Sequence, residues 1–119
     1  MDYVRQESFH GIGKEGQKRL KNASVAILGV GALGCVCSEL LARAGIGKII
    51  LYDFDKVQEH NLHRQALYSE KDVGKDKVKA AKERLEIINP EVEIIIKSNK
   101  VDEDNVKIDA TLALDCLDD

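Results

Sequence analysis

Val25-Ala26-Ile27-Leu28-Gly29-Val30-Gly31-Ala32-Leu33-Gly34 is the stretch that decides the fold. Its first four residues form a short, uninterrupted apolar run closing on glycine, as expected of a strand covered on both faces. From Ala32 the period changes. Leu33, Val36, Cys37, Leu40, Leu41 and Ala44 recur at helical spacing and predict one apolar stripe along a helix, which Gly45 and Gly47 stop. Between strand and helix, Gly29, Gly31 and Gly34 make a GxGxxG pattern in the context a nucleotide-binding turn requires. Gly29 permits a tight turn, Gly31 lets backbone approach phosphate, and Gly34 allows close packing of helix on strand. The free N–H groups of the first helical turn then face an anion, aided by the positive end of the helix dipole.

Outward from this unit the same alternation continues. Ile49–Tyr52 reads as a second strand closing on Asp53, about 20 residues beyond the glycines, where a carboxylate accepts hydrogen bonds from ribose hydroxyls. A polar stretch from Phe54 to Gly74 is too long for an ordinary connection. A helix fits Lys75–Ile88, with Val78, Ala81, Leu85 and Ile88 on one face, and Asn89-Pro90 ends it. Val92–Ile96 and Ala110–Leu114 read as third and fourth strands, the latter ending on Asp115, with a short helix between them near Asp102–Val106. The pattern predicts a Rossmann-like, doubly wound α/β fold: a parallel sheet of about four strands in order 3-2-1-4 within three layers. Residues 1–22 would form a helical arm and residues 23–119 the core of a single domain. The fourth strand would be an uncovered edge, which predicts self-association.

Composition narrows the function. The chain has 119 residues, 44% of them hydrophobic and 33% charged, and 18 basic against 21 acidic residues leave a net charge of -3. That balance exerts no global pull on nucleic acid or anionic membrane. Aromatics at 4%, without tryptophan, argue against a base-stacking surface. The N-terminus is charged from Asp2, unlike a signal peptide, and glycines break the longest uncharged stretch, Asn22–Ser38, below membrane-spanning length. Cys35, Cys37 and Cys116 form neither an even disulfide set nor a CxxC pair, which predicts buried thiols in a reducing, cytoplasmic setting. Lys71, Lys75, Lys79, Lys82 and Arg84 read as a solvated helix face, from which Lys77 is set apart below.

The segment after Asp53 departs from a dehydrogenase. It carries Asp55, His60, Asn61, His63, Arg64 and Gln65, and a hydride-transfer domain needs no arginine there. With Tyr3-Val-Arg5-Gln6, Gly13-Lys-Glu-Gly16-Gln17, the glycine turn, Ala44-Gly-Ile-Gly47, Asp53-Phe-Asp55, Asn61-Leu-His-Arg64-Gln65, Val73-Gly-Lys-Asp-Lys77, Ile88-Asn-Pro90 and Asp115-Cys-Leu-Asp118, the chain resembles the ThiF/MoeB/HesA family, relatives of the ubiquitin-activating enzymes. The resemblance implies binding of ATP and Mg2+ and adenylation of the C-terminal glycine of a small ubiquitin-like or sulfur-carrier protein. It places Gly29, Gly31, Ala32, Leu33, Gly34, Asp53, Asp55, Asn61, Arg64, Gln65 and Lys77 around the nucleotide. Within that set Asp53 would hold the ribose, Arg64 and Lys77 would grip the triphosphate, and Asn61 and Gln65 would support the phosphate loop. Asp118 would hold magnesium, and Arg5 would enter a partner subunit's site in a homodimer. Two departures stand out: Ala32 occupies a position usually held by glycine, and the Asp-x-x-Asp-Asn motif ends as Asp118-Asp119. Full activity is therefore expected of a longer or complemented polypeptide.

These residue types suit the reaction on chemical grounds. A carboxylate attacking an α-phosphate is already ionised at neutral pH, with a reference pKa of about 4, so no general base is needed. The difficulty is bringing an anion against a polyanion, which cations and a divalent metal relieve. Arginine offers bidentate donors and lysine a point charge. Two other readings remain: a dinucleotide-binding (NAD or FAD) oxidoreductase domain, which leaves Arg64 and Lys77 unexplained, and a catalytically silent dimerising module.

Overall fold

The computed structural model describes Tyr3, residues 13–98 and residues 110–117. In chain order the elements are α1 (Gly13–Asn22), β1 (Ser24–Leu28), α2 (Ala32–Ala44), β2 (Lys48–Tyr52), single 3-10 turns at Glu59–Asn61 and Glu70–Asp72, α3 (Lys77–Ile88), β3 (Glu93–Lys97) and β4 (Leu112–Asp115). The strands form one parallel sheet in the order β3-β2-β1-β4, the Rossmann-like order read from the sequence. Ile27 pairs with Leu51 on one side and Leu114 on the other. β1 and β2 are buried through their middles, which is why neither alternates polar with apolar residues.

Strand alternation divides the apolar residues between two faces. Ile27, Ile49 and Leu51 join Val78 and Leu85 of α3 in the main core, whereas Ala26, Ile50 and Tyr52 form a separate, smaller cluster. The short helix expected near Asp102–Val106 lies outside the described residues, as does most of the expected N-terminal arm before α1. Among the described residues no helix is long and apolar enough to cross a membrane.

Two sequence expectations need correction. α3 starts at Lys77, not Lys75, because the preceding backbone is engaged elsewhere: Lys56 and Asp76 form an isolated bridge, and the Lys77 N–H donates to the Asp55 carbonyl at 3.0 Å. On α2 the predicted apolar stripe is split: Cys37 and Leu41 pack against the core, half-buried, but the rest of the stripe does not. Leu33 and Leu40 are 58% and 62% exposed and Val36 is exposed as well, while Gly34, Cys35, Ser38 and Ala42 are buried. Close approach selects the small residues. A Cβ added to Gly34 would lie 2.0 Å from the Gly29 carbonyl oxygen, so only hydrogen fits there. Ser38 is tolerated inside because its hydroxyl donates to the Gly34 carbonyl at 2.7 Å. On α3, by contrast, Val78, Ala81 and Leu85 are buried as their spacing predicts.

The amino end of the sheet is tied together by polar side chains. Asn89 Nδ2 donates to the Ala42 carbonyl at 2.8 Å and to the Tyr3 hydroxyl at 2.6 Å, and Asn89 Oδ1 accepts from the Glu91 N–H at 3.1 Å. Gln17 Nε2 donates to the Ala44 carbonyl at 3.0 Å. Gly45 ends α2 at φ 90°, a left-handed cap. A cavity of about 690 Å3 lies at this end, touched by Tyr3, Gln17, Gly45 and Glu91, opposite to the glycine bend.

Candidate nucleotide site

At the carboxyl end of β1 the chain turns through Gly29, at φ 96°, whose N–H donates to the Tyr52 carbonyl at 2.8 Å. A side chain on Gly29 would meet the Cys116 carbonyl oxygen at 2.9 Å. Gly29 and Gly34 are thus demanded by the packing of the protein itself. Gly31 is not: its φ is -84°, and the nearest atom to an added Cβ is Gln65 Nε2 at 3.7 Å. Gly31 caps α2 without a side chain, its carbonyl accepting from the Cys35 N–H at 2.9 Å, so no residue side chain at the cap closes the first-turn donors. That combination of room and outward N–H groups is what an anion needs at a helix start. Ala32 fits where glycine was expected, because no non-glycine residue among those described has a positive φ.

Asp53 is buried, and both its oxygens are engaged. Oδ2 accepts from the Val30 N–H at 2.8 Å and Oδ1 from the Asp55 N–H at 2.8 Å. Each carboxylate oxygen carries a second lone pair, so Asp53 fixes the bend while keeping acceptor capacity for a ribose hydroxyl. Asn61, also buried, is a turn builder. Its Oδ1 accepts from the Gln58 N–H at 3.0 Å, and its carbonyl accepts from the Gln65 N–H at 2.9 Å. The turn delivers Gln65, whose buried Oε1 finds no hydrogen-bond partner among the described residues. The other amide atom, the donor Nε2, is the one nearest Gly31, and a buried acceptor left unpaired on the same group is costly to the protein alone and fits a site that takes a polar ligand.

The two expected phosphate cations part company. Lys77 is only 7% exposed, and its charge reaches the Cys35 thiol in the first turn of α2. Burial pushes that thiol up, with the Leu67 backbone, the Tyr68 hydroxyl and the Lys77 ammonium pulling the other way. Arg64 is exposed, and its guanidinium is turned onto its own loop, donating from Nη1 to the His60 carbonyl at 3.1 Å, with His63 Nε2 3.3 Å away. Asp55 is exposed and contributes its carbonyl to Lys77 rather than its carboxylate to the bend. Contacts therefore join Gly29, Gly31, Gly34, Asp53 and Gln65 at the bend, the Lys77 charge acts on Cys35 in the first turn of α2, and the Arg64 guanidinium is engaged by its own loop. Arg5 and Asp118 lie outside the described residues, and among those described no three His, Cys, Asp or Glu side chains converge as a metal site. The sequence reading also passed over Tyr68, whose buried hydroxyl donates to the Val30 carbonyl inside the bend. Its one signal was being an aromatic residue in an otherwise polar, irregular segment.

Residues 3–119 match the model of the ThiF family. The chain is 41% identical over 119 residues to the molybdopterin-synthase adenylyltransferase of Salmonella typhimurium, covering 98% of this chain and 48% of that protein. It is 49% identical over 94 residues to the sulfur carrier protein ThiS adenylyltransferase of Bacillus subtilis, covering 77% and 28%. Among solved structures it is similar to the Escherichia coli tRNA N6-threonylcarbamoyladenosine dehydratase TcdA in complex with ATP. That match has a TM-score of 0.87 and 31% identity, over 100% of this chain and 52% of that one. The chain spans about half, or less, of the length of these relatives.

Proposed function

The chain belongs to the ThiF family, and on that premise we propose that it is the ATP- and Mg2+-binding part of an enzyme that adenylates the C-terminal glycine of a small ubiquitin-like or sulfur-carrier protein. The observation that carries this reading is the space at Gly31, faced by Gln65 Nε2 and backed by the uncapped first turn of α2. Backbone N–H groups from Gly31 to Gly34 bind the phosphates, Asp53 accepts from the ribose, and the buried Lys77 offsets phosphate charge. Arg64 leaves the His60 carbonyl and adds a bidentate clamp when the triphosphate is present. Asp118 would supply the magnesium carboxylate, and the metal would offset charge on the pyrophosphate. The attacking carboxylate is ionised at neutral pH, so these groups position and neutralise rather than move a proton.

A homodimer is part of the reading, with Arg5 entering the partner's site. The exposed edge of β4 and the exposed Leu33, Val36 and Leu40 on α2 support association. Three free thiols support a reducing, cytoplasmic setting. ATP with Mg2+ is expected to raise the thermal midpoint while NAD leaves it unchanged. A shift with NAD and none with ATP would replace this reading by the oxidoreductase one. Arg64→Ala is expected to weaken ATP binding, and pyrophosphate exchange with candidate carriers separates an adenylating protein from a silent module.

A further inference from the structure

The bend is held from both sides of Val30. On the Gly29–Val30 peptide, the N–H goes to Asp53 Oδ2 at 2.8 Å, and the carbonyl is pressed against Gly34. On the Val30–Gly31 peptide, the carbonyl is held inward, accepting from the Tyr68 hydroxyl and, at 3.6 Å, from the Cys35 thiol. We propose that Tyr68 is a positioning residue for the nucleotide: by fixing the Val30 carbonyl inside, its hydroxyl aims the Gly31 N–H out toward the phosphates. The inference rests on the ATP-binding reading above and goes beyond it by assigning the group that sets the polarity of the loop.

The reason is the geometry of a trans peptide, in which C=O and N–H point in opposite directions across one plane. No cis peptide is present among the described residues. With the Val30 carbonyl fixed toward Tyr68, the Gly31 N–H must face away from it, and none of the described backbone groups accepts that N–H. Flipping this peptide changes ψ of Val30 and φ of Gly31, and glycine accepts either sign of φ at little steric cost. Without an anchor, a carbonyl dipole could therefore face the phosphates as readily as an N–H, which repels instead of binding. Tyr68 supplies the anchor from a rigid base. It is buried, and its N–H donates to the Gln65 carbonyl at 3.1 Å, so the turn that presents the Gln65 amide to Gly31 also sets the direction of the Gly31 peptide. Burial pushes the Tyr68 phenol up from its ordinary value, so it stays a donor at any working pH.

The test is Tyr68→Phe, which keeps the ring and removes the donor, read as the ratio of ATP affinity to adenosine affinity. ATP affinity is expected to fall about tenfold or more, the scale of one hydrogen bond to a charged group, with adenosine affinity unchanged. A merely structural role would weaken both ligands alike, and an unchanged ATP-to-adenosine ratio overturns the inference while leaving ATP binding intact. Wild-type protein that binds no ATP overturns the nucleotide reading, and the role of Tyr68 falls with it. Should Tyr68→Phe fail to fold, exchange of the wild-type Gly31 amide decides. Fast exchange in the free protein and protection on adding ATP are expected, and protection before any nucleotide is added would refute the outward N–H.

Discussion

The two ends of the sheet use similar residues to opposite effect. At the amino end, Asn89, Gln17 and Tyr3 direct their hydrogen bonds into the protein, and its glycines are filled around by neighbours: a Cβ on Gly47 would lie 1.8 Å from the Lys21 carbonyl oxygen, and one on Gly45 2.7 Å from Gln17 Nε2. At the carboxyl end, Gly31 keeps room on its open side, α2 begins without a capping side chain, and Gln65 Oε1 is buried without a partner among the described residues. The amino end pairs these side chains inward around its glycines, although a cavity of about 690 Å3 opens beside them; the carboxyl end leaves donors and acceptors open at the bend itself. The bend can leave its outward groups unsatisfied because Asp53 and Tyr68 hold its inward ones.

The largest effects are expected from crowding the tightly packed glycines, Gly47 at the amino end and Gly34 beneath the bend. Gly47→Ala and Gly34→Ala, whose added methyls meet backbone oxygens, are expected to cost more than about 3 kcal/mol or prevent folding, as read by urea denaturation. Next is Asn89→Ala, which removes the buried side-chain donor to the Ala42 carbonyl, leaving it the Gly45 N–H at 3.2 Å, and removes the acceptor of the Glu91 N–H. It is expected to cost about 1–3 kcal/mol in the same measurement.

A smaller effect belongs to Asp72, in the segment that carries Gln65 and Tyr68. Burial works against its ionised form, yet the Ser69 N–H at 2.9 Å, the Ser69 hydroxyl at 3.1 Å and the Lys75 ammonium at 3.5 Å outweigh it and hold the carboxyl below its ordinary value. A depressed folded pKa contributes stability that is present above the unfolded value, about 3.9, and is lost as pH falls through the folded value. Asp72→Asn is expected to flatten stability against pH in that acid window and to remove part of the margin at neutral pH. An unchanged acid limb would count against this assignment. The smallest stability change is expected from Gly31→Ala, within about 1 kcal/mol, because its φ is ordinary and its Cβ position is open. ATP affinity should nevertheless fall at least about tenfold, since the methyl occupies the approach to the loop. A Gly31→Ala protein that binds ATP normally would erase the distinction between the two ends.

Much of this was legible in the chain itself. Strand runs without alternation, the change of period at Ala32 and the stop at Gly45 are local properties that give the alternating elements, and the glycine turn's Rossmann-like context gives the order 3-2-1-4 that the sheet shows. The stripe on α2 was half right, with Cys37 and Leu41 on the core and Leu33, Val36 and Leu40 exposed, because spacing reports which residues are apolar. Which face docks depends on how closely a helix approaches its sheet, and Gly34 and Ser38 set that distance. Asp53 was legible as a polar residue at a strand end, but its pairing with the Val30 N–H was not, since that contact joins two segments far apart in the chain.

The sequence alone determined the order of the elements, the glycine bend at the end of β1 and the residue types gathered around it, because these follow from short-range periodicity and backbone permission. Tertiary structure alone decided which glycine is left open, that Lys77 is enclosed while Arg64 turns onto its own loop, and that Tyr68 reaches into the bend. Those outcomes depend on distances between segments brought together by the sheet, and no local pattern encodes a distance across the fold.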